Sequence, residues 1–492
     1  MLWCSFIEID ALLSIIMVIM YGLYSLKAKS LYLNDVYVFC RLFPVLFVVG
    51  FWLDGCQGNM TPGIDGMIAT DLNSMISFDL LLALLLFFIM YSFKSFESVL
   101  LLLFAFIGQY YMLHSVDLLS FYIALEAQNF CFLVLCGLPT FNTLNNVSSG
   151  CSNHSFSVEA SLKYFLLSAF SSGVILFWFS ILYLQTGNSS IQFLCMDDGL
   201  DSSFGTGSYN IYSYEILCAM MFKLGAAPLH LWVVQIYNGV KRQLLMFIST
   251  APKLCLFGFW INSFHGVWTD YSLLFFSLFS LVLGSFGAYS QPGLRSLFAY
   301  STVNEIGLML SALEVAGFHN LMQHFGIYII TQFLLWHIED KRLFSVIAVS
   351  LAGLPPLAGF FGKTWILWGL STAASGSGDY EAFGPSSHST GLYVLLLTAL
   401  CCTVLSLVYY LRVLRLFFNT GNYVSTPAGQ QGANGVQIHT RLVQYNNARA
   451  IPSMLNTDIP GFVQYDSRIF LTSACAIALF VMPFFLIKPF VL

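Results

Sequence analysis

Long apolar stretches, separated by short polar or turn-forming segments, run through almost the whole chain. A helix that crosses a bilayer needs about 17–25 mainly apolar residues. Dividing the chain wherever such a run gives way to polar residues predicts fourteen transmembrane helices. Their centres lie near residues 17, 45, 84, 105, 127, 173, 225, 252, 280, 304, 329, 357, 405 and 479. The predicted fold class is an all-α polytopic membrane protein with about 14 transmembrane helices.

The basic residues test this count independently, because lysine and arginine concentrate in the loops on one side of a membrane. Loops after odd-numbered predicted helices hold or adjoin Lys27, Lys29, Arg41, Lys94, Lys163, Lys241, Arg242, Arg295, Lys341, Arg342, Arg412, Arg415, Arg441, Arg449 and Arg468. Loops after even-numbered helices carry acidic residues instead: Asp54, Asp65, Asp71, Asp117, Asp197, Asp198, Asp201, Asp270, Asp379 and Glu381. This alternation supports fourteen helices and predicts that both termini lie on the side poor in basic residues.

Composition narrows the class of protein further. Of the 492 residues, 58% are apolar and 9% are charged, which excludes a soluble multidomain protein. The first apolar stretch follows Glu8 and Asp10 instead of basic residues, so we interpret it as a retained helix and not as a signal peptide. The 12 cysteines show no paired spacing typical of zinc or iron–sulfur ligands, and there is no GxGxxG motif. We therefore expect no metal site, cofactor site or redox centre in this chain.

Three lysines lie near the middle of predicted helices: Lys223 in the seventh, Lys253 in the eighth and Lys363 in the twelfth. A lysine at the centre of a membrane helix costs at least about 2.5–3.5 kcal/mol, so it normally faces a partner or a water-filled cavity. Lys488 lies near the C-terminus and can reach the interface. The three central lysines are therefore candidate functional residues.

Prolines interrupt two of these helices. Pro228, in FKLGAAPLHLW, interrupts the seventh, and the pair 355–356, in LAGLPPLAGFFGK, interrupts the twelfth. Proline removes a backbone donor and frees a carbonyl inside the membrane. Discontinuous helices five apart predict two inverted five-helix repeats with an ion site at mid-membrane. The alternative is that each proline kink serves packing only, and the lysine beside each break argues against it.

This division predicts five segments along the chain. They are an N-terminal three-helix segment at 1–95, a first repeat of helices 4–8 at 96–264, a second inverted repeat of helices 9–13 at 265–419, a hydrophilic loop at 420–466 and a C-terminal helix 14 at 467–492.

Two carboxylates share the depth of the lysines, Glu126 in the fifth helix and Glu305 in the tenth. Moving a charge near such a group changes which group holds the proton. The alternatives are a fixed ion pair between Glu126 and Lys223, and a simple hydrogen bond within the helix bundle for Glu305. His230, two helical turns after Lys223, and His324 in the eleventh helix are candidate proton relays, although each could equally be a satisfied core histidine.

Several stretches resemble one family, chain 2 of the proton-pumping NADH:ubiquinone oxidoreductase, or respiratory complex I, which is related to the Mrp-type cation/proton antiporter subunits. The matching stretches are KYFLLSAFSSGVILFWFSILYLQTG, FKLGAAPLHLWVVQIYNG, FISTAPKLCLFGF, LRSLFAYSTVNEIGLML, LAGLPPLAGFFGK and YYLRVLRLFF. The resemblance implies fourteen helices with inverted repeats, and proton-transfer roles for four residues: Glu126, Lys223, Lys253 and Lys363.

The chain departs from the family pattern at two places. Glu305 stands where the family commonly has histidine, which changes the charge in the tenth helix. Gln235 and Asn238 flank Tyr237 where the family usually has acidic residues, which removes charge near the interface.

The resemblance implies a proton-translocating membrane-arm subunit of the enzyme, with NADH, FMN, iron–sulfur clusters and ubiquinone held by partner subunits. Expected partners are other complex I membrane subunits, including flanking antiporter-like chains, together with phospholipids, and no nucleic acid. An Mrp-type cation/proton antiporter subunit is the alternative, and a helical scaffold whose polar residues merely pack is a third. The 48 phenylalanines and 25 tyrosines fit an AT-rich organelle genome and favour the mitochondrial inner membrane over a bacterial plasma membrane. The termini would then face the intermembrane space.

Overall fold

The fold is described from a computed structural model. It describes residues 96–137, 151–190, 207–263, 270–313, 318–337, 341–375 and 389–419, together with residues 16, 19 and 20. The hydrophilic loop at 420–466, the predicted fourteenth helix with Lys488, and nearly all of the first three predicted helices lie outside the described residues.

Within the described residues the chain is helical. The helices are α1 (Phe96–His114), α2 (Leu118–Gly137), α3 (Cys151–Thr186), α4 (Gly207–Leu224), α5 (Leu231–Gly239), α6 (Arg242–Ser263), α7 (Asp270–Ser290), α8 (Leu294–Ser311), α9 (Phe318–His337), α10 (Lys341–Ala352), α11 (Ala358–Ala374) and α12 (Ser389–Asn419). Six of them are long and apolar enough to cross a membrane: α1, α2, α3, α6, α7 and α12. Predicted helices four to thirteen correspond to α1–α12, with the seventh and twelfth each divided in two.

The chain forms two compact units. In the first, α1 packs against α2 and α6, while α3 contacts α2, α4 and α5. In the second, α11 contacts α8, α9, α10 and α12. Helix α8 is buried along nearly its whole length, whereas α3 and α12 expose large apolar side chains such as Phe170 and Leu397. Apolar side chains of this kind are compatible with contact to lipid.

The segment before the break ends with the same local geometry in both interrupted helices. Helix α4 ends before Gly225, whose φ is 76°, and α10 ends before Gly353, whose φ is 78°. Each glycine N–H donates to the carbonyl three residues earlier, at 3.1 Å for Phe222 and 3.0 Å for Ser350. A proline follows each glycine by three residues. Glycine tolerates the left-handed backbone that ends a helix, and proline prevents the helix from continuing.

We expect Gly225→Ala to lower the free energy of unfolding by about 1–3 kcal/mol, because a residue with a Cβ is strained at this φ. The added Cβ would also overlap Val233 Cγ2. Thermal unfolding of the detergent-solubilised protein measures the change. Gly173→Ala in α3 is the control, since a Cβ there meets nothing within 4 Å. Equal unfolding temperatures for the two variants would contradict the role assigned to Gly225.

Candidate functional site

A cavity inside the first unit brings together two of the predicted lysines. Its volume is about 50 Å³, and both Lys223 of α4 and Lys253 of α6 line it. One water needs roughly 10–15 Å³ of such space, so the cavity can hold a few water molecules. Its other polar lining residues are Gln128, Asn129, Tyr164, Ser168, Ser171 and Tyr237. The two lysines therefore share a small cavity whose walls are mostly apolar and carry a few polar groups.

A proline places Lys253 beside a weakened helix segment. Pro252 lies inside α6 and has no N–H, so the Ile248 carbonyl lacks its usual helical donor. Ile248, Pro252 and Lys253 all line the cavity. Sequence reasoning used the prolines of the two interrupted helices and missed this third one. A proline directly before a lysine within an apolar run would have been the signal.

Lys223 is held by a backbone carbonyl. Its ammonium donates to the Ser168 carbonyl of α3 at 3.0 Å, and the Ser171 hydroxyl donates to the same oxygen at 2.8 Å. Trp232 donates its indole N–H to the Phe222 carbonyl at 2.9 Å, which satisfies a carbonyl at the end of α4. The break therefore leaves Lys223 one residue from the end of α4, with its ammonium bonded to α3.

Glu126 binds a different neighbour in this arrangement. Asn129 donates to Glu126 Oε1 at 3.3 Å, and the Tyr164 hydroxyl donates to Asn129 Oδ1 at 3.2 Å. No salt bridge joins Glu126 to Lys223 in the part of the chain that the structure describes, although the carboxylate still acts electrostatically on the lysine. The two charges are near each other, but they are not locked in a fixed ion pair.

The second unit contains a buried cluster of three charged or titratable groups. Glu305 of α8, His324 of α9 and Lys363 of α11 are each 4–5% exposed. Glu305 Oε1 lies 3.1 Å from Lys363 Nζ, and Glu305 Oε2 lies 3.0 Å from His324 Nε2. Each carboxylate oxygen thus contacts a different partner. The sequence placed Glu305 and Lys363 at one depth but did not predict that they pair, which two opposite charges in apolar helices could have suggested.

The helix break explains why Lys363 lies in this cluster. Its ammonium also donates to the Leu351 carbonyl at 2.7 Å. In a continuous helix that carbonyl would accept from the residue four positions later, which is Pro355 and has no N–H. The proline therefore creates the acceptor that Lys363 uses.

His230 is buried directly before α5, and the residues lining the cavity of the first unit do not include it.

In the second unit, Tyr409 and Tyr410 of α12 are buried with ring centroids 4.6 Å apart, and the charge of Glu305 acts on both. Sequence reasoning did not include these two tyrosines. Adjacent tyrosines close to an arginine such as Arg412 are typical of the membrane–water interface, so the sequence did not indicate that these two tyrosines are buried.

Comparison with known proteins identifies the family. A family model described as "NADH:quinone oxidoreductase/Mrp antiporter, TM" matches residues 115–339. The chain is 43% identical to NADH-ubiquinone oxidoreductase chain 2 of Chlamydomonas reinhardtii over 486 residues, covering 99% of this chain and 100% of that protein. The chain belongs to the NADH-ubiquinone oxidoreductase chain 2 family. The resemblance found in the sequence is confirmed.

Solved structures support the fold of this chain 2 family member. A chain of respiratory complex I from Thermus thermophilus matches with a TM-score of 0.69 and 20% identity, covering 98% of this chain and 97% of that one. A chain of the Mrp complex from Dietzia sp. matches with a TM-score of 0.63 and 17% identity, covering 96% of both. The all-α, antiporter-like membrane fold is confirmed. The count of fourteen helices and the inverted repeats stay predictions.

We expect Tyr164→Phe to lower the free energy of unfolding by about 1–3 kcal/mol, because it removes a buried donor to the Asn129 amide oxygen. Thermal unfolding of the solubilised protein measures this change. Tyr183→Phe is the matched control, since Tyr183 is 53% exposed. A similar shift for both variants would show that the Asn129 contact contributes nothing.

Proposed function

We propose that this chain is a proton-translocating membrane-arm subunit of respiratory complex I. Electron transfer from NADH to ubiquinone takes place in partner subunits, which hold the NADH site, FMN, the iron–sulfur clusters and ubiquinone. The chain uses the released energy to move protons by way of Glu126, Lys223, Lys253 and Lys363. The observation that carries the proposal is that central lysines lie beside proline-interrupted helix segments, next to a small cavity with several polar groups in one unit and a buried carboxylate in the other.

The first unit supplies a lysine whose proton affinity can be changed. Lys223 has a neutral acceptor, the Ser168 carbonyl, and a nearby charged group, Glu126. Moving the carboxylate towards the ammonium favours the protonated lysine, and moving it away favours release. A charge or hydration change transmitted from partner subunits would move the pair between these two arrangements.

The cavity offers a path for the released proton. Lys223 and Lys253 both line it, and its tyrosine, serine and amide groups can hold water between them. In this scheme the proton passes from Lys223 to Lys253 and continues towards Lys363 in the second unit. His230 is a candidate relay in the first unit, and Glu305 and His324 are candidates in the second.

The energetic requirement is modest for buried groups. Moving one proton against 100 mV costs about 2.3 kcal/mol, and one pKa unit corresponds to about 1.36 kcal/mol. A change of one to two pKa units in a proton carrier therefore supplies the work of crossing such a potential. Buried groups with a movable counter-charge reach shifts of this size.

The wider architecture is part of the proposal. We infer fourteen helices in which helices 4–8 and 9–13 form inverted repeats, with both termini on the side poor in basic residues. The matching glycine and proline positions of the two breaks support the repeats. The 43% identity to the Chlamydomonas protein supports a mitochondrial inner membrane location. The partners are other complex I membrane subunits, including flanking antiporter-like chains, and phospholipids.

An Mrp-type antiporter subunit is less well supported. The Mrp chain shares the fold at 17% identity, whereas the chain 2 relative is similar at 43% over its full length. The subunits that copurify with this chain separate the two functions. Copurification with quinone-reductase subunits supports complex I, and a free-standing cation/proton exchange complex would contradict it.

Lys363→Met tests whether the second unit carries protons. We expect the proton translocation that is coupled to NADH oxidation to fall about tenfold or more, because a proton carrier is removed. Proton uptake by sealed vesicles that contain the assembled complex measures it. Lys163→Met is the control, since Lys163 forms a partly exposed pair with Glu159 on α3. Full pumping by Lys363→Met would support a purely structural scaffold.

Glu126→Gln tests the control of Lys223. The amide keeps the size and the hydrogen-bonding capacity of the side chain but carries no charge, so we expect fewer protons pumped per NADH oxidised. Glu97→Gln is the control, because Glu97 is exposed in the first turn of α1. An unchanged ratio of protons to NADH in Glu126→Gln would rule out this mechanism.

A further inference from the structure

The Glu305 carboxylate differs from that of Glu126 in burial and in contacts. Glu305 is 4% exposed, and its two oxygens contact Lys363 Nζ at 3.1 Å and His324 Nε2 at 3.0 Å. Removing one partner from a buried ion pair leaves an uncompensated charge, which is strongly unfavourable. The charge states of the three groups are therefore interdependent.

Lys363 has a second acceptor that does not depend on Glu305. The Leu351 carbonyl accepts from its ammonium at 2.7 Å. If Glu305 became neutral, the lysine would keep this carbonyl and lose its counter-charge. Lys223 has a comparable hydrogen bond, because its ammonium donates to the Ser168 carbonyl and forms no salt bridge with Glu126. A lysine ammonium held by a helix carbonyl, with no carboxylate of the described residues in direct contact, is thus an arrangement that this protein adopts elsewhere.

The His324 ring depends on Glu305 in turn. Its Nε2 contacts the carboxylate, while the buried Nδ1 has no hydrogen-bond partner within the described residues. Gly362 lies beside that nitrogen, and a Cβ at this position would be 3.1 Å from Nδ1. The ring therefore passes a change in its protonation to Glu305, its hydrogen-bond partner in the described part of the chain.

We propose that Glu305 is a proton-carrying latch on Lys363, and that His324 is the donor that opens it. This inference rests on the proposed function, because it explains how Lys363 releases a proton that a fixed ion pair would retain.

The proton transfers balance in one cycle. The closed latch has a carboxylate, an ammonium and an imidazolium. His324 Nε2 gives its proton to Glu305 Oε2, which yields a neutral imidazole and a neutral carboxylic acid. Lys363 has now lost its counter-charge and releases one proton to water on the outlet side.

The reset restores the ion pair. The carboxylic acid group rotates and gives its proton to the Lys363 amine, which regenerates the carboxylate and the ammonium. His324 Nε2 then takes up one proton from water on the inlet side, since Nδ1 has kept its proton throughout. One proton enters and one leaves, and no electron is transferred.

The titratable groups that face Glu305 from the packed helices are His324 of α9, Lys363 of α11, and Tyr409 and Tyr410 of α12. Tyrosine titrates near pH 10 and lysine near pH 10.4 in water, whereas histidine titrates near pH 6.5. Of these side-chain types, histidine is the one whose unperturbed titration falls between about pH 5 and pH 8.

The test uses the assembled complex in sealed vesicles and compares Glu305→Gln with Glu305→Asp. The amide can hold both neighbours by hydrogen bonds but cannot carry the charge or the proton, so we expect coupled proton translocation to fall about tenfold or more. The aspartate keeps a carboxylate and should restore part of the rate. Glu159→Gln, in the partly exposed pair on α3, is the matched control and should leave the rate unchanged. Full translocation by Glu305→Gln, or no recovery with Glu305→Asp, would overturn the latch.

His324→Gln keeps a donor for Glu305 but removes the titrating ring. We expect a lower rate and a flatter dependence of rate on pH, and an unchanged rate profile would overturn the donor role. Native gels normalise each rate to the amount of assembled complex. If Glu305→Gln does not assemble, Glu305→Asp and His324→Gln decide the outcome. Pumping intact in Lys363→Met refutes the proposed function, whereas pumping lost there but intact in Glu305→Gln refutes the latch alone.

Discussion

The structure depends on one constraint, the need of a buried ammonium for acceptors where water is scarce. An uninterrupted helix offers few, because its carbonyls already accept from its own N–H groups. Pro355 removes the donor that would bond the Leu351 carbonyl, and Lys363 takes that carbonyl at 2.7 Å. The helix break is therefore what makes a lysine tolerable at this depth. At Lys363 the break supplies the carbonyl acceptor, whereas Lys223 donates to the Ser168 carbonyl of the uninterrupted helix α3.

The two breaks share a backbone geometry but use it differently. Lys223 lies two residues before Gly225, and Leu351 lies two residues before Gly353. In the first unit this position supplies the charged side chain. In the second it supplies the carbonyl that binds Lys363, which comes from the helix after the break. One geometry thus creates a lysine site in two ways, and the two lysines have different electrostatic surroundings as a result.

The sequence predicted the breaks well, because proline, glycine and a central lysine act locally and their effects do not depend on distant contacts. It predicted the partners of the charges less well. Asn129, one turn after Glu126, provides a donor close to that carboxylate, while the Ser168 carbonyl comes from a different helix. Which acceptor a lysine reaches depends on side-chain directions across helices, and hydrophobic periodicity does not encode them. The Glu305–Lys363 pair joins α8 and α11 for the same reason, and no local pattern indicated it.

Glu305 is also distinguished by what surrounds it on its own helix. The hydroxyls of Thr302 and Ser311 donate to carbonyls of α8 itself, each at 2.7 Å. Such side chains are satisfied locally and do not link α8 to its neighbours. Glu305 is bonded instead to α9 and α11 at once. A change in its charge alters the packing partners of three helices together, whereas a change at any of these hydroxyls stays within one. In a buried helix, a carboxylate shared between a lysine and a histidine is therefore the group best placed to convert proton occupancy into a change of structure.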